Sequence, residues 1–86
     1  MRFRFTKHAN EKFTQLEILG WNIHKDKIRR TINKPKWSGI SKHGQETAMS
    51  LVDKKHIIRV VFNREDAIIK IITFHIARRG NYESTL

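Results

Sequence analysis

The chain has 86 residues, 18 Lys and Arg against 8 Asp and Glu, a formal net charge of +10 and no cysteine. That length makes a single domain, residues 1–86, with a thin core, and a hydrophobic content of 38% is too apolar for a disordered chain. Absence of cysteine excludes disulfides, thiolate nucleophiles and Cys-ligated zinc, and no apolar run approaches the roughly 20 residues of a membrane span.

The opening MRFRFTKHANEKF lacks the apolar core of a signal peptide, so the expected setting is cytoplasmic and reduced. A surface this basic attracts polyanions. Nucleic acid is the first candidate, because neutralising phosphates releases counterions. An acidic protein comes second and an anionic membrane surface third; charge kept for solubility is the bland alternative.

In chain order, RFRFT (2–6) alternates basic and aromatic residues, which predicts a short strand with Phe3 and Phe5 on one face and Arg2 and Arg4 on the other. Thr6 can cap a helix from Lys7 to about Leu19, where Ala9, Phe13 and Leu16 form the apolar stripe and Gly20 the stop. A second helix is expected over Lys25–Asn33, with Ile28 and Ile32 as its stripe, Ile23 as a staple onto Ile28, and Pro35 beyond its end. His24 then holds the cap position, where histidine is not a preferred residue.

WSGISKHGQ (37–45) reads as an irregular strand or a loop. ETAMSLVD (46–53) alternates, with Thr47, Met49 and Leu51 on one face, and Asp53–Lys55 is a turn. HIIRVVFN (56–63) is a strand with Ile58, Val60 and Phe62 on one side, followed by a turn over 63–66. AIIKIITFHIA (67–77) is the longest strand, apolar on both faces as a central strand would be. The expected fold is α+β: a short N-terminal strand and two helices packed on one face of a mostly antiparallel sheet of four to five strands.

Chemistry concentrates at the end of the last strand. Strict alternation puts Thr73 and His75 with Ile69 and Ile71, and Phe74 and Ile76 on the other face. Arg59 interrupts its own strand on the face opposite Ile58, Val60 and Phe62, which is costly in a buried strand unless the guanidinium is paired or opens onto a cleft. If the last two strands pair, Arg59 and the Thr73/His75 end share one surface. His75, Arg78, Arg79 and Tyr82 are types that hold a phosphodiester and move its proton.

Each has a plainer alternative. Arg59 can sit at a solvent-facing strand position, and His75 can be a half-buried histidine bonded to backbone. Arg78 and Arg79 can be a solvated basic tail, and Tyr82 can pack against the sheet. Lys7 and His8, in the first turn of the first helix, either join the basic cluster or serve only as helix-start residues. No phosphate-binding glycine loop occurs, the five histidines never take an HExxH spacing, and Glu11, Glu17 and Glu46 read as scattered exposed charges. No metal or other cofactor is expected, a metal held by His8 and His75 with a carboxylate being the minor alternative.

The strand–helix–helix–strands order resembles the RelE/ParE superfamily of small toxins. TKHANEKF, HIIRVVFN and IIKIITFHIARRGNYE are similar to small domains of that superfamily near the BrnT-type toxins. His8, Arg59, Thr73, His75, Arg78, Arg79 and Tyr82 carry the likeness, which spans nearly the whole chain. It implies a concave basic sheet face and one of two activities: metal-independent cleavage of mRNA, including ribosome-bound mRNA, or non-catalytic binding to nucleic acid or DNA gyrase. It also implies an acidic antitoxin partner. On the cleaving alternative, Arg59 with Arg78 or Arg79 holds the scissile phosphate. His75 or His8 is the general base, and Tyr82 or the other histidine the general acid. Arg2, Arg4, Lys7, Thr73 and Arg79 are the expected nucleic-acid contacts.

Overall fold

The structure, a computed structural model, describes residues 2–80, so Tyr82 lies outside the described residues. The elements run β1 (Arg2–Phe5), α1 (Lys7–Ile18), α2 (Lys25–Asn33), β2 (Trp37–Ile40), β3 (Glu46–Leu51), β4 (His56–Glu65) and β5 (Ile68–Arg78). The class is α+β. One sheet of five strands has the order β1-β5-β4-β3-β2. Its β2–β3, β3–β4 and β4–β5 pairings are antiparallel, whereas β1 pairs with β5 in parallel. The sheet is therefore mixed, a result of α1 and α2 intervening before the chain enters the meander at β2.

Local chemistry accounts for the ends of the helices. The Thr6 hydroxyl accepts the Ala9 N–H at 3.1 Å, which satisfies one of the orphan donors of α1. Gly20 closes that helix with φ of +91°, a backbone state that glycine enters without a Cβ penalty. His24 is the N-cap of α2 and makes no side-chain cap bond. Ile23 and Ile28 flank it in the same buried cluster, as an apolar staple does.

The helices cover one face. Ala9, Leu16, Ile28 and Ile32 meet Ile58, Val60 and Phe62 of β4 and Ile69, Ile71 and Phe74 of β5. Phe13 bridges the layers, with ring centroids 5.7 Å from Phe5 and 4.7 Å from Phe74. Among the described residues, no helix is long and apolar enough to cross a membrane.

Three readings of the sequence need correction. The turn expected over 63–66 begins later: β4 runs to Glu65, and Asp66 makes the reversal at φ 56°. Glu46 is half-buried, not a loose surface charge, and its carboxylate lies 2.9 Å from Arg64 Nε. The third matters most. Opposite Val61 stands Thr73, but opposite the next residue, Phe62, stands Ile71. Ile72 is thus an extra residue, a β-bulge that shifts the alternation of β5 by one. Phe74 and Ile76 therefore join Ile69 and Ile71 on the helix side, and Thr73 and His75 turn to the other face.

A candidate anion site on the sheet face away from the helices

The bulge decides where the imidazole goes. β1 accompanies β5 only as far as Ile71, opposite Phe5. Beyond that point α1 flanks β5, held there by Thr6. The Thr6 N–H donates to the Ile71 carbonyl at 3.1 Å and its hydroxyl to the Ile72 carbonyl at 3.0 Å. The edge left by a four-residue β1 is thereby blunted, and the bulge is tied to the helix start.

On the face turned away from the helices, one row of directly opposed residues crosses four strands. Trp37 of β2 faces Met49 of β3, Met49 faces Arg59 of β4, and Arg59 faces His75 of β5. Directly opposed residues share a face, with Cβ atoms about 5 Å apart. Met49, Ile57 and Val61 are all buried on this side, so Arg59 and His75 rise from an apolar floor. Both are half-buried.

Burial is the first reason that the His75 pKa lies below its ordinary value; the Arg59 guanidinium is the second and the Lys12 ammonium of α1 the third. All three disfavour the imidazolium. At neutral pH His75 is a neutral imidazole able to accept a proton, set among cations able to hold an anion.

The remaining sequence-derived candidates are distributed unevenly. Thr73 lies on the same face as His75, opposite Val61. Arg78 is opposite His56, in the phase of Phe74 and Ile76, and so belongs to the helix side. Three residues beyond His75 in an unbroken stretch of strand, it falls on the opposite face by simple alternation. Arg79 follows the strand, and its N–H donates to the Lys55 carbonyl at 2.7 Å. Lys7 and His8 are exposed on α1. His8 precedes Lys12 by four residues, so both share one helical stripe on the helix that flanks β5. Arg2 and Arg4 are exposed on the edge strand and register with Ile68 and Lys70, at the far end of β5 from His75.

Sequence reasoning passed over two residues. Lys12 sits beside Phe13 at a position that reads as the wet side of an amphipathic helix, and no local signal marks it. Trp37 stood in a stretch without a strand pattern; only its register with Met49 puts it in the row. Among the described residues, no three His, Asp or Glu side chains gather closely enough to hold a metal ion. Compared with known proteins, the chain matches no family model, no curated protein and no solved structure.

Proposed function

We propose that this protein is a toxin-like endoribonuclease of RelE/ParE-like fold that cleaves mRNA without a metal and is held in check by an acidic partner protein. The observation that carries this reading is the cross-strand pair Arg59–His75, a guanidinium beside an imidazole kept neutral by burial and by its cationic neighbours. A neutral imidazole is the form a general base requires. A guanidinium on the same face is the group that binds phosphate oxygens and offsets charge as it develops on them.

In the proposed reaction His75 takes the proton of a ribose 2′-hydroxyl. The 2′ oxygen forms a bond to the adjacent phosphorus, and the bond from phosphorus to the 5′ oxygen breaks. The products are a 2′,3′-cyclic phosphate and a 5′-hydroxyl, with the leaving oxygen protonated by His8 or Tyr82. Arg59 and Lys12 hold the phosphate through the five-coordinate stage, and Arg79 extends the basic surface. Trp37 offers a ring for a neighbouring base to stack on, at the other end of the same row.

A second reading has its own supporting observation. Arg2, Arg4 and Lys70 adjoin one another at the opposite end of the sheet, remote from His75, which suits a diffuse cationic surface that binds nucleic acid or DNA gyrase without chemistry. The two readings separate on induction of the chain in cells, with mapping of new RNA 5′ ends. Growth arrest accompanied by new 5′-hydroxyl ends, lost in His75→Gln and relieved by a small acidic protein encoded alongside, is expected. Arrest that persists in His75→Gln with intact RNA favours the binding module instead.

A further inference from the structure

On the helix side of the sheet lies a second cationic site, remote from the Arg59–His75 row. A cavity of about 420 Å³ opens between α2 and β3, lined by Lys27, Arg30, Thr31, Asn33, Lys34 and Ser50. None of these residues is acidic. The nearest carboxylate on α2, Asp26, is engaged by Arg29 at 2.8 Å. Trp37, the first residue of β2, pairs with Met49, so Ser50 and Leu51 extend past that strand and leave the cavity open.

Lys27 and Arg30 fall on one stripe of α2 and repel each other, and Lys34, the C-cap just beyond the helix, lines the same cavity. The helix dipole accounts for Arg30 and Lys34, which stand near the C-terminus. It does not account for Lys27, which occupies the first turn, where a cation is disfavoured. Lys27 is half-buried, and its ammonium donates to the Leu51 carbonyl at 2.8 Å, a bond that uses one of its three protons and leaves two. Burial, then Arg30, lowers its pKa. An anion between Lys27, Arg30 and Lys34 would relieve that repulsion.

The floor adds a second requirement. Thr31 is buried and its hydroxyl donates to the Lys27 carbonyl at 2.7 Å, while its oxygen is 2.7 Å from Ser50 Oγ. A hydroxyl has one proton. The Thr31 proton is spent on Lys27, so Ser50 must donate to Thr31. Ser50 then offers only lone pairs to the cavity. Its walls give protons and positive charge, and its floor takes a proton.

We infer that this cavity binds a small sugar phosphate, with the phosphate monoester between Lys27, Arg30 and Lys34 and a sugar hydroxyl donating to Ser50. The volume lies within the ~300–1,000 Å³ of small-molecule sites. The inference is independent of the proposed ribonuclease chemistry.

The test is a titration of the isotopically labelled full chain, followed by amide NMR shifts, with ribose 5-phosphate, inorganic phosphate and ribose in turn. Ribose 5-phosphate should saturate, with shifts confined to residues of α2 and to Ser50 and Leu51, and should bind about fivefold tighter than inorganic phosphate through the added hydroxyl bond. Ser50→Ala should remove that advantage and leave phosphate binding unchanged. Arg30→Gln, an exposed substitution that leaves the Lys27–Leu51 bond intact, should weaken both ligands about tenfold. Arg59→Ala should change neither. Shifts spread without saturation over the whole basic surface, or Arg30→Gln binding as the parent does, would overturn the assignment.

Discussion

Thr6 and Ile72 are joined by one hydrogen bond of 3.0 Å, from the hydroxyl at the start of α1 to the carbonyl of the bulged residue in β5. The same oxygen accepts the Ala9 N–H. One side chain thus caps a helix and pins the irregularity that sends His75 to the face away from the helices. Thr6→Val keeps the shape and removes both bonds. It should cost about 1–3 kcal/mol, the sum of a lost cap and a lost tertiary bond, whereas Thr6→Ser should cost under about 1 kcal/mol. Urea unfolding of the two variants checks this; equal losses would show that the hydroxyl is not what matters.

The bulge also makes a prediction about packing. Phe74 is 0% exposed and meets Phe13, while its neighbour Thr73 belongs to the face away from the helices. Phe74→Ala should therefore cost about 3–5 kcal/mol, enough to unfold much of so small a domain. Thr73→Ala should cost less than about 1 kcal/mol. Thermal unfolding that ranks the two the other way round would mean that β5 runs without the bulge.

These two sites show how far the sequence could be read. The helix spans, the Thr6 cap and the side of Arg59 follow from local rules, because Ala9, Phe13 and Leu16 keep helical spacing and β4 has a charge to mark its phase. In IIKIITFHI both faces are apolar, so a one-residue shift leaves the pattern almost unchanged, and alternation cannot reveal a bulge. The parallel pairing of β1 with β5 joins residues more than sixty positions apart, which no local pattern encodes. Trp37 enters the site only through its register with Met49, and Lys12 only through the packing of α1 on β5, whereas the separation of Arg78 from His75 follows from alternation alone.

His75 should make stability depend on pH. Its folded pKa is below the unfolded value of about 6.5. Between the two values the unfolded chain binds more protons, so stability falls as pH drops from near neutral through the folded pKa and is level, as far as this group is concerned, below both. His75→Gln should flatten that part of the curve. Chemical denaturation of parent and variant from pH 7.5 to 5 measures it, and parallel curves would contradict the burial of the imidazole.

The causes of the shift can be separated. Arg59→Gln should raise the His75 pKa toward about 6.5, and Lys12→Gln should raise it less, since burial and Arg59 outrank Lys12. Titration of the His75 ring protons by NMR reads both. A pKa unmoved by Arg59→Gln would mean that the guanidinium and imidazole do not sense each other.

The most direct measurement of the central claim is single-turnover cleavage of a defined RNA oligonucleotide by the purified chain in excess EDTA. A 2′,3′-cyclic phosphate product is expected, with the rate reduced about 100-fold or more in both Arg59→Ala and His75→Gln. An intact oligonucleotide, or cleavage by both variants at the parental rate, would contradict the Arg59–His75 pair as a catalytic centre.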